Sequence, residues 1–143
     1  MKSITKFSLL LALAISALAI SGCSSEPPQT QALYTDAKKM YDEINRAFTL
    51  PGRSQERVDL MHKILDEKWD IQVVDKLDQY LKEAPNGKFA SDAKKLLDEA
   101  KGSDKIRMLG QVRPFLEKTG VPKTAAEADS LAKSAPATGN GGH

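Results

Sequence analysis

The 143-residue chain has one cysteine, two histidines and only 6% aromatic residues, and each scarcity removes a class of function. A single cysteine makes neither an internal disulfide nor a cysteine-rich metal site. Histidine is confined to His62, which is followed by Lys63, and to His143 near the C-terminal end, so no His-x-x-x-His spacing exists for a metal and no preorganised base is visible. A Gly-rich phosphate loop, a Gly-x-Ser-x-Gly elbow and a calcium loop are all missing, and Gly102, Gly110 and Gly120 read as punctuation between helices. The expectation is a non-enzyme with no cofactor, no metal and no small-molecule substrate.

Charge of one sign is also lacking. The chain carries 21 Lys+Arg against 19 Asp+Glu, a formal net charge of +2. Lys2 and Lys6 supply that excess from a segment expected to be removed, which leaves 19 basic and 19 acidic residues on the mature chain. Without a basic excess there is no broad attraction for a phosphate backbone, so nucleic acid is not an expected partner. Carboxylate pairs such as Asp66-Glu67 and Asp98-Glu99 alternate with lysines and read as solvated helix faces.

One long hydrophobic run is present. Phe7 to Ile20 contains only Phe, Ser, Leu, Ala and Ile, and it follows Lys2 and Lys6. A positive start, a short apolar stretch on every helical face and small residues after it form the pattern of a secretory signal, too short to span a bilayer comfortably. Ser24 to Gln29 is polar and proline-containing, so residues 23–30 read as a tether of about 25 Å when fully extended.

No period-two run of β-branched residues occurs, whereas helical spacing recurs from Gln31 onward. Leu33, Ala37, Met40, Tyr41, Ile44 and Phe48 form a first stripe, ending near Leu50-Pro51-Gly52. Ser54 is the expected N-cap of a second helix with Val58, Met61, Ile64 and Leu65 inward; Asp70 is a candidate cap for a third through Leu81, unless residues 54–84 form one bent helix. Ala84-Pro85-Asn86-Gly87 stops the pattern, and Phe89, Ala93, Leu96, Leu97 and Ala100 resume it until Gly102, where a left-handed residue is expected. Ser103 caps a segment through Leu109 and Val112, which Pro114 divides into two helices or kinks. Thr124-Ala125-Ala126-Glu127 has capping-box spacing for a last short helix, and residues 135–143 are expected to be a disordered tail. The fold class expected is all-α, one helical domain over residues 31–134 built as a small antiparallel array of helix-turn-helix pairs.

Ile20-Ser21-Gly22-Cys23 resembles the lipobox of bacterial lipoproteins. The resemblance implies that the Cys23 thiol receives a diacylglyceryl group, that cleavage falls between Gly22 and Cys23, and that the new amine is acylated, so two or three fatty chains anchor the mature protein. One chain alone binds a membrane only marginally, whereas two or more make a stable anchor. In enteric-type bacteria an Asp after the lipidated cysteine favours the inner membrane; Ser24 stands there, which implies the outer membrane with the domain facing the periplasm.

The stretch from Val74 to Leu97, with Tyr80 and Leu81 before Pro85 and Phe89-Ala90 and Ala93 after it, resembles the helix-turn-helix junctions of tetratricopeptide repeats in envelope-assembly lipoproteins. That resemblance implies either a repeat-type superhelix or, because Met61, Val73 and Tyr80 stand where such repeats hold Gly or Ala, a generic helical bundle. Tyr34, Arg46, Arg57, Trp69 and Lys76 are the candidates for facing a partner protein, although the phase of Trp69 with Leu65 and Val73 favours a core position for it. The leading expectation is a protein-binding scaffold or assembly factor of an envelope machine, with an envelope protein as partner. A structural or protective surface factor and a binder of a small apolar ligand are the competing readings.

Overall fold

The computed structural model describes residues 26–52 and 54–134, and among these the fold is all-helical. The signal segment, Gly22 and Cys23, and the expected tail lie outside the described residues. The helices are α1 (Pro28–Thr49), α2 (Gln55–Asp66), α3 (Trp69–Glu83), α4 (Ala90–Lys101), α5 (Asp104–Thr119) and α6 (Ala125–Ser134).

α1 begins three residues before the expected Gln31, because Pro28 occupies the first turn, where its missing N–H costs nothing. Pro28, Gln29 and Thr30 therefore belong to the domain and not to the tether; Thr30 is buried and donates to Glu83 Oε2 at 3.1 Å. The helix stops at Leu50, whose extended backbone is what Pro51 demands of its predecessor.

Residues 54–84 form two helices. Ser54 caps α2, its hydroxyl accepting from the Arg57 N–H at 3.2 Å. The break falls at Lys68, which has φ 56 and is the one described non-glycine residue with positive φ. Asp70 is consequently not the cap of α3 but lies inside its first turn, buried at 4% exposure.

α3 is the axis of the fold. Its Val73, Leu77 and Tyr80 are wholly buried, enclosed by α1 on one side and α4 on the other. Thr30 bonds Glu83, Tyr34 meets Tyr80 and Asp36 bonds Lys76, a reversed chain order that makes α1 and α3 antiparallel. Alanines at the contacts, Ala37 and Ala47 on α1 and Ala93 and Ala100 on α4, are fully buried and let the backbones approach closely. α1 packs mainly along α3 rather than along α2, its sequence neighbour, so the helices form an irregular array about α3 and not a row of equal hairpins.

One further expectation is corrected. Gly102 keeps a right-handed backbone at φ −86, and among the described residues the glycine with positive φ is Gly120 at φ 83, where α5 ends. Of the two arrangements open for Pro114, the single helix is the one present: α5 runs from Asp104 to Thr119 with Pro114 inside it.

Candidate functional site

Among the surface grooves, two of similar size have opposite chemistry. The first, about 350 Å³, runs between α1 and α4, with Lys38, Tyr41 and Asp42 facing Asp92, Lys95 and Glu99. Its charges are of both signs and partly satisfied locally, as in the 2.8 Å pair of Lys38 with Asp42. Tyr34 forms part of its floor; burial first, and then the Asp92 carboxylate, push that phenol above its ordinary pKa. A self-compensated polar groove gives no reason to attract one class of ligand.

The second groove, about 320 Å³, is walled by Val112, Phe115 and Leu116 of α5, by Pro122, and by Ala128 and Leu131 of α6. Among the described residues, no charged side chain lines it. It continues onto the open face of α5, where Met108 is 49% and Val112 42% exposed. Positions 108, 112 and 115 follow the helical repeat, so they form one apolar ridge along α5. A contiguous apolar surface of this kind is the ordinary signature of a protein-binding face.

The local sequence explains why the ridge is left open. Leu109 is the only fully enclosed side chain of α5. Polar ties add to it: Lys105 Nζ donates to Asn45 Oδ1 of α1, and the Arg113 guanidinium pairs with Asp70 and donates through Nη1 to the Leu65 carbonyl at 2.8 Å. Arg113 Nε is buried without a hydrogen-bond partner, so the tie is incomplete. Gly110 and Pro114, both weak helix formers, sit in the middle of the helix and leave it dependent on its docking.

α6 closes the groove from the other side. The Gln55 side chain grips its N-terminal end, donating to the Lys123 carbonyl at 2.9 Å and accepting from the Ala125 N–H at 3.2 Å. The capping box forms in part as expected, with the Glu127 N–H donating to Thr124 Oγ1 at 3.1 Å. Its reciprocal bond is shifted by one residue, the Glu127 carboxylate taking the Lys123 N–H at 2.7 Å.

The five residues expected to face a partner do not converge. Tyr34 is buried and stacks on Phe89 with ring centroids 4.6 Å apart, and Trp69 is buried with its Nε1–H bonded to Glu67 Oε2 at 2.7 Å and Lys63 Nζ 5.2 Å from its ring centroid. Both are core residues, which corrects a contact surface built on Tyr34 and agrees with the core position that the phase of Trp69 with Leu65 and Val73 favours. Arg46 is exposed and pairs with Glu43 and Glu56, while Arg57 Nη1 donates to the Leu50 carbonyl at 3.2 Å; these two meet at the α1–α2 junction. Lys76 lies apart from both, bridging to Asp36 at 3.4 Å.

Val112, Phe115 and Leu131 are the residues that sequence reasoning missed. The available signal was a surplus: α5 carries apolar residues on more than one face, and Gly110 and Pro114 weaken the helix between them. Among the described residues no three His, Cys, Asp or Glu side chains cluster as a metal site, and no helix is long and apolar enough to cross a membrane. No protein-family model, curated protein or solved structure matches the chain.

Proposed function

We propose that the chain is a lipid-anchored adaptor of the bacterial outer membrane, facing the periplasm, whose α5–α6 groove receives an apolar segment of another envelope protein. The observation that carries this reading is the uncharged groove continued by Met108 and Val112 on the least buried of the long helices. Anchoring is supported by Ile20-Ser21-Gly22-Cys23 and the apolar run before it. The non-enzymatic character rests on the sequence, where Cys23 is assigned to lipid and no nucleophile, base and orienting group stand in a recognisable pattern.

A side chain entering such a groove must be bulky and apolar, because a polar group there finds no partner for its hydrogen bonds. The favoured ligand is therefore a short amphipathic helix or strand with Leu, Met or aromatic anchors, a common mode of helical-groove recognition.

The test is photo-crosslinking in living cells from positions 112, 115 and 131, with positions 39, 75 and 94 as controls on exposed polar faces. One dominant envelope protein captured from the groove alone, and lost in the Val112→Asp variant, is the expected result. Diffuse adducts of equal yield from groove and control positions would overturn the adaptor reading in favour of a passive structural or protective role.

A further inference from the structure

The first described residue, Glu26, is not a free tether residue. Its Oε2 accepts the Lys88 N–H at 3.1 Å, and its backbone carbonyl accepts from Gln31 Nε2 at 2.8 Å. The same turn is closed from inside by Tyr80, whose hydroxyl accepts the Phe89 N–H at 2.9 Å. The fit is close: a Cβ added to Gly87 would lie 2.7 Å from the Tyr80 hydroxyl and 3.0 Å from Glu26 Oε2. Glu26 thus fastens the N-terminal end of the domain to the α3–α4 turn.

Cys23 stands three residues before Glu26. Three residues of chain reach at most about 11 Å, far less than the whole tether expected from the sequence. α1 runs away from this point for 22 residues, about 33 Å, before the chain turns into α2. α5 begins beside that remote part of the body, with Lys105 Nζ donating to Asn45 Oδ1 at 2.7 Å, and α6 is gripped by Gln55 at the start of α2.

We infer that the α3–α4 turn, with Pro85, Asn86 and Lys88, is the surface that rests on the phospholipid headgroups, and that the α5–α6 groove is held at the opposite end, facing away from the membrane. The inference rests on Cys23 being the lipidated residue of the proposed function. Its physical basis is reach: a linker of at most about 11 Å keeps the end fastened at Glu26 beside the bilayer, and α1 carries the start of α5 about 33 Å along its axis away from that anchor.

The experiment uses the full mature chain, purified with its lipid and inserted into vesicles of phosphatidylethanolamine and phosphatidylglycerol. Photoreactive residues at positions 29 and 86 are compared with positions 112 and 131 for capture of phospholipid. Capture from 29 and 86 is expected to exceed the others by roughly tenfold, and the bias is expected to shrink in Glu26→Ala, whose helical signal stays intact. Equal capture from both ends of a lipidated chain overturns the orientation alone, and a bias unchanged in Glu26→Ala overturns the role of Glu26. An unmodified Cys23 in the intact mass of the purified chain overturns the anchoring and the orientation with it.

Discussion

α3 and α5 are nearly equal in length, 15 and 16 residues, yet α3 encloses Val73, Leu77 and Tyr80 completely while α5 encloses only Leu109 and leaves Met108 and Val112 open. The difference is not one of apolar content but of neighbours. α3 is flanked by α1 and α4, and Ala37, Ala93 and Ala100 bring those helices close. α5 leans on the body along one edge and is capped from the other by the small helix α6. An apolar stripe is half an interface, and whether it becomes core or docking surface depends on what faces it.

The largest expected effect tests the tie between the two regions. Asp70→Ala removes the carboxylate from a nearly buried pair and leaves the Arg113 guanidinium uncompensated, which should cost about 3–5 kcal/mol. Hydrogen exchange should localise the loss to α5 and α6, while α1 and α4 keep their protection. If all helices lose protection together, the division into body and limb is wrong.

Within the body, Leu77→Ala should lower global stability by about 2–5 kcal/mol, because its fully buried site cannot collapse between two helices. Chemical denaturation followed by circular dichroism reads this directly. In the limb, Pro114→Ala should act in the opposite direction, restoring a backbone donor inside α5 and stabilising that helix by up to about 3 kcal/mol. Slower amide exchange across residues 108–119 would register it; unchanged exchange would mean that α5 is limited by its docking and not by its propensity.

Alkaline titration separates the regions by charge. Tyr34 and Tyr80 belong to the body, and burial is the main cause that pushes both phenols above the ordinary value of 10.0. A raised folded pKa means that the neutral phenols stabilise the fold fully below pH 10, and that this contribution is lost as pH rises through the folded values. Denaturation midpoints should therefore hold up to about pH 10 and fall above it, and Tyr80→Phe should flatten that fall. The smallest effect is expected at the groove: Val112→Asp should change stability by no more than about 0.5 kcal/mol, since the side chain is already 42% exposed. A large loss of stability there would show that the ridge is structural.

Much of this architecture is legible in the chain. The inward stripes of α1, α3 and α4 follow from their 3.6-residue spacing, the caps Ser54 and Ser103 from their hydroxyls, and the α3–α4 turn from Pro85 and Gly87. What was misread depends on partners distant in sequence. Asp70 has the composition of a cap but is drawn inward by Arg113, 43 residues later, while Lys68 takes the left-handed backbone that a glycine would ordinarily supply. Pro114 leaves either two short helices or one continuous helix open in the sequence, and docking against the body selects the continuous one. Tyr34 looks like an exposed anchor until Phe89 is seen beside it, whereas the core place of Trp69 is legible from its phase with Leu65 and Val73.

The groove was illegible for the same reason. Its walls come from α5 and from α6, and nothing in either segment states that the two will face each other across Pro122. The sequence by itself determined the helical class, the helix-stopping turns and the apolar faces, because these follow from local backbone preference and side-chain period. Only the tertiary structure decided which faces were covered, that Glu26 is fastened to the α3–α4 turn, and that α5 keeps an open ridge, because burial is settled by contacts between residues dozens of positions apart.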